Sequence, residues 1–61
     1  MTLSQWLSVN EITRSDFASR IGVSQSFVSM LCSGAKKPSL QTLADIQRVT
    51  KGEVALEDFL R

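Results

Sequence analysis

Between Ile21 and Gln25 the chain has only Gly22, Val23 and Ser24 in which to end one helix and begin another. No other feature limits the fold so tightly. Upstream, Thr13 with Asp16 three residues on is a capping signal, and Phe17, Ala18 and Ile21 then recur at helical spacing. Downstream, Ser24 is a good N-cap because its hydroxyl accepts an orphan backbone amide. Val28, Leu31 and Cys32 then fall on one side of a helix expected from about Gln25 to Ser33. Gly22 supplies the positive φ that closes the first of these helices, and Gly34 closes the second. A joint this short makes the two helices cross closely, so the residue at the crossing has to be small, as Ala18 is.

The rest of the chain also reads as helix. Thr2 and Gln5 form a capping-box pattern, Leu3, Trp6 and Leu7 share a face, and Asn10 is expected to stop that helix because Asn tolerates the left-handed conformation. Trp6 is read as core. Ser39, just after Pro38, caps a further helix whose buried stripe is read as Leu40, Leu43, Ala44 and Ile46, running to about Val49. Beyond Gly52, Val54 is expected in a short extended piece. Leu56, Phe59 and Leu60 follow at helical spacing, enough for one or two turns packed back on the core. No strand alternation or repeat appears. The expected fold class is all-α, a small four- to five-helix bundle forming one domain over residues 1–61.

Composition narrows the chemistry. A chain with 43% apolar and 21% charged residues has enough of both for a core and a solvated surface. At this size roughly 60% of the extended chain's surface is buried on folding, so net stability is small and pairing with a second copy would help. The single Cys32 has no partner for an internal disulfide and is read as a small buried hydrophobe. With no His and one Cys, no zinc site of the usual ligand set is expected. The absence of His also removes the commonest general acid and base, and adjacent carboxylates such as Glu57 and Asp58 point about 100° apart on a helix. No enzyme and no cofactor are expected. No apolar stretch approaches the roughly 20 residues of a membrane span, and no signal peptide is read, so a reducing cytoplasm is the expected location, with no membrane and no small-molecule ligand among its partners.

Net charge is only +1, but it is unevenly placed. Residues 1–13 carry −1, residues 14–37 carry +3 through Arg14, Arg20, Lys36 and Lys37 against Asp16, and residues 38–61 carry −1. A basic middle between acidic flanks points to one face that meets phosphate. On that segment, Gln25, Ser26, Ser29, Met30 and Ser33 share the arc opposite Val28 and Leu31, a small, uncharged outer face. A narrow rod with short polar side chains suits the major groove of double-stranded DNA.

With these residues in view, the stretch Thr13 to Ser39, TRSDFASRIGVSQSFVSMLCSGAKKPS, resembles the helix-turn-helix of the lambda-repressor and Cro-like superfamily, also called the XRE family. The resemblance covers about Ile12 to Val49, and the opening MTLSQWL is similar to the starts of short phage Cro proteins. It implies a helix-turn-helix over about 13–33 in a lambda-repressor-like domain, with Gln25, Ser26, Ser29 and Met30 reading base edges. It implies backbone contacts from Thr13, Arg14, Ser24, Ser33, Lys36 and Lys37, and a phage-type, Cro-like repressor that binds a palindromic operator as a homodimer in a bacterial or phage-infected cell. Arg20, Arg48 and Lys51 are read as solvated or ion-paired. Two departures from the family pattern stand out. Phe27, at a position often held by a small residue, either covers the turn from the core side or contacts a sugar or thymine methyl. Gln47 and Thr50 replace late apolar residues of the fourth helix, which shifts weight for dimer contacts to Leu56, Phe59 and Leu60. The same tail residues also fit a core role, an antitoxin-type autoregulator with a protein partner, or a protein-interaction module built on this fold.

Overall fold

The computed structural model describes residues 1–60, which form four α-helices, a closing 3-10 turn and no strand. The helices are α1 (Leu3–Val9), α2 (Arg14–Ile21), α3 (Gln25–Ser33) and α4 (Leu40–Thr50), and the 3-10 turn spans Leu56–Phe59. Each helix starts where a hydroxyl replaces the missing backbone acceptor: Thr2 accepts from the Gln5 amide, Thr13 from Asp16, Ser24 from Phe27 and Ser39 from Thr42. At α1 the box is reciprocal, with the Thr2 amide donating to Gln5 Oε1 at 3.2 Å.

The expected turn is present. Gly22 adopts φ 73° and ψ 34°, and the Val23 amide donates back to the Ala18 carbonyl at 3.0 Å, so α2 ends abruptly and Ser24 restarts the chain as α3. α2 packs most extensively on α3, then on α4, while α1 packs on α3. The shared core is Leu3, Trp6 and Leu7 of α1, Phe17, Ala18 and Ile21 of α2, Val28 and Leu31 of α3, Leu43 and Ile46 of α4, and Val54 and Phe59 beyond it. Trp6 meets Phe17 edge-on, with ring centroids 5.9 Å apart. Its indole N–H donates to Glu53 Oε2 at 2.7 Å, tying α1 to the segment after α4. Cys32 is half-buried against this core, as is Phe27. No helix among the described residues is long and apolar enough to cross a membrane.

Three local expectations need correction. The buried stripe of α4 is Leu43, Ile46 and Thr50, whereas Leu40 is 84% exposed and Ala44 is exposed. On a helical wheel Leu40 lies about 85° and Ala44 about 125° from the centre of that stripe, outside its buried arc. α4 therefore runs to Thr50, and Lys51 (φ 55°) rather than a glycine takes the first left-handed position after it. Asn10 does end α1, but at φ −93° and ψ 2°; it works by donating its side-chain N–H to the Trp6 carbonyl at 2.8 Å, and Glu11 is the left-handed residue. In the tail, the turn is a single one of 3-10 type that buries Phe59 and leaves Leu56 and Leu60 exposed.

Candidate nucleic-acid interface

Nine residues make α3 about 13 Å long. Val28 and Leu31 fix its inner side on the core, and that anchoring leaves Gln25 and Ser26 exposed and Ser29 and Met30 half-buried on the outer side. All four expected base-reading residues therefore share one face. Phe27 lies at the margin of that face, half-buried and packed against the core.

The residues expected on phosphate surround this helix. Thr13 and Arg14 begin α2, Ser24 begins α3, and Lys36 and Lys37 follow its C-terminal end; all are exposed. Arg14, Lys36 and Lys37 form no ion pair with the described residues, whereas Arg48 is paired with Asp45 at 3.2 Å. The cations flanking α3 are thus available to an external anion. Thr13 and Ser24 use an oxygen lone pair to cap their helices, and each hydroxyl keeps its proton for an acceptor such as a phosphate oxygen. Ser33 differs. Its hydroxyl donates to the Met30 carbonyl at 3.2 Å and accepts from the Ala35 amide, so phosphate contact there requires the side chain to rotate out of its cap.

A shallow depression of about 400 Å³ joins part of this set, lined by Ser4, Leu7, Ser8, Ile12, Thr13, Arg14 and Gln25. It brings the start of α2, a cation and the first residue of α3 against the outer edge of α1. Here Arg14, the first residue of α2, lines the depression together with Thr13, while Asp16 adds a carboxylate to the same first turn and gives its backbone amide to Thr13 Oγ1 at 3.0 Å. Ser4 and Ser8 were not singled out by sequence reasoning. The only signal for them is their spacing of four, which puts both hydroxyls on one side of α1 next to Leu7. Lys36 and Lys37 lie outside the lining of this depression, beyond the far end of α3.

Comparison with known families matches the helix-turn-helix family model over residues 10–56, which begins at Asn10, the C-cap of α1, and takes in all of α2, α3 and α4 and the start of the closing turn. No curated protein and no solved structure matches the chain. The family match covers most of the sequence and falls on the two helices and tight turn whose geometry is described above, so the chain belongs to the XRE-type helix-turn-helix family of DNA-binding transcription regulators.

Proposed function

We propose that this chain is a Cro-like repressor that reads a two-fold symmetric operator as a homodimer. The observation that carries the reading is the arrangement around α3: an uncharged outer face of short side chains, with Arg14 at one end and Lys36 and Lys37 at the other. In this reading α3 enters the major groove, and Gln25, Ser26, Ser29 and Met30 meet base edges. Gln25 is matched to adenine, whose N6 and N7 pair with the amide's acceptor and donor. Thr13, Arg14, Ser24, Lys36 and Lys37 set the register by holding the backbone on either side, and Ser33 joins them if it leaves its cap. Repression follows from occupying promoter DNA. Two copies place their α3 helices in successive major grooves about 34 Å apart.

Pairing is assigned to the tail. Leu56 and Leu60 are 45% and 60% exposed, while Phe59 beneath them is part of the core and holds the turn in place. The same exposed pair supports the second reading, an autoregulator whose tail takes a different protein. Selection of bound duplexes from a random-sequence pool, at low and moderate salt, tests both. Enrichment of a two-fold symmetric site supports the homodimeric repressor, and enrichment of a single half-site supports a DNA reader whose tail serves another partner. Retention without any enriched sequence refutes sequence-specific reading.

A further inference from the structure

No charged residue lies between Arg20 and Lys36, so α3 and the turn before it are electrically neutral throughout. This is informative about which base pairs such a helix discriminates. Guanine is read most strongly by Arg or Lys donating to O6 and N7, and cytosine by Asp or Glu accepting from N4. α3 carries none of these four residue types. Arg14, the first residue of α2, lines the same depression as Gln25, and Lys36 and Lys37 follow the C-cap Gly34, positions suited to the backbone on either side of the groove.

What remains on the outer face selects the other pair. The Gln25 amide, exposed at the N-terminal end, matches adenine N6 and N7 in a bidentate way. Met30 lies five residues on, about 140° around the helix at the other edge of the outer arc. It is half-buried, and its apolar end has no hydrogen-bonding use; the surface it fits in the major groove is the 5-methyl group of thymine. Ser26 and Ser29 read either kind of pair, and the Ser33 proton is already given to the Met30 carbonyl. A helix of about 13 Å faces roughly four base pairs at 3.4 Å each.

Resting on the DNA-reading function above, we propose that the half-site under α3 is dominated by A·T pairs and that a thymine methyl group against Met30 is one of its main determinants. The absence of Arg, Lys, Asp and Glu from α3 removes the strongest readers of G·C, and Gln25 and Met30 supply the positive choice.

The test uses the unmodified protein and the duplexes it selects. In the enriched site, each thymine is replaced in turn by uracil, which pairs identically and lacks the methyl group. Each adenine is replaced in turn by 7-deazaadenine, which lacks the N7 acceptor. One thymine per half-site should give about fourfold weaker binding as uracil, the value of one buried methyl group, and one adenine should give about tenfold weaker binding as its 7-deaza form. In Met30→Ala the uracil effect should vanish while the 7-deazaadenine effect persists. An enriched site whose fixed pairs under α3 are G·C, or one indifferent to uracil at every thymine, overturns this proposal and leaves DNA reading intact. Failure to enrich any sequence overturns both.

Discussion

Thr50 is the residue on which the end of the fold depends. It is 1% exposed, its hydroxyl donates to the Ile46 carbonyl at 2.8 Å, and the same oxygen accepts from the Val54 amide at 3.3 Å. Val54 is fully buried, so no water is available to replace that acceptor. Thr50→Val keeps the shape and removes the hydroxyl. The Ile46 carbonyl keeps its place in the helix ladder, but the Val54 N–H is left unsatisfied, which costs about 1–3 kcal/mol. A methyl group in place of a desolvated hydroxyl offsets part of this, leaving a net loss of roughly 1–2 kcal/mol. A domain of this size has only about 3–9 kcal/mol in total, and the loss should lower Tm by about 5–15 °C. Thermal unfolding followed by far-ultraviolet circular dichroism and by the fluorescence of the single Trp6 measures it. Thr50→Ser keeps both hydrogen bonds and loses one buried methyl, so it should cost only about 0.5–1.5 kcal/mol. A Thr50→Val protein as stable as the parent would refute the claim that the hydroxyl holds the Val54 backbone.

Other outcomes follow from the same geometry. If Arg14, Lys36 and Lys37 each meet one phosphate in both halves of a dimer, log K should fall with log salt at a slope of about −5, or roughly a thousandfold between 50 and 200 mM; fluorescence anisotropy with a labelled operator reads the slope. Gln25→Ala should cost about 1–3 kcal/mol on the operator and relax the preference at one base pair per half-site, whereas Lys37→Ala should weaken all duplexes alike and flatten the salt slope. Unchanged discrimination in Gln25→Ala would refute its placement as a base reader. Gly22→Ala meets no atom within 4 Å of the added Cβ, so its cost should be that of the φ alone, about 1–2 kcal/mol, and Gly22→Asn should cost less; chemical denaturation compares the two.

What the sequence made legible was whatever depends on neighbours three or four residues away. The caps at Thr2, Thr13, Ser24 and Ser39 are local hydrogen bonds, and all four form as their spacing predicts. The turn at Gly22 is equally local, and it carries the placement of α3. The phase of the buried stripe on α4 was less legible, because a leucine at the first helical position resembles the start of a stripe. α2 and the tail decide that phase, and they select Thr50, a polar residue whose suitability for the core shows only when Ile46 and Val54 are brought to it. The bond from Trp6 to Glu53 and the addition of Ser4 and Ser8 to the edge of the depression depend on where α1 docks, which no local pattern encodes.

The tail poses the sharpest question of pairing, and the structure dictates how to ask it. Deleting residues after Gly52 would remove Val54 and Phe59 from the core, so a loss of dimers would report a loss of folding. Leu56→Glu combined with Leu60→Glu avoids this, because both side chains are exposed and surface substitutions of this kind usually change stability by no more than about 0.5 kcal/mol. If the tails of two copies meet on the operator, the double variant places four carboxylates in one contact. It should bind an isolated half-site as the parent does and lose most of the parent's added affinity for the symmetric site. Titrations on the two duplexes, with Trp6 fluorescence as the check of folding, separate these effects. Equal gains from half-site to full site in parent and variant would remove the tail from the dimer interface and direct attention to the exposed side of α4, where Leu40 and Ala44 lie uncovered.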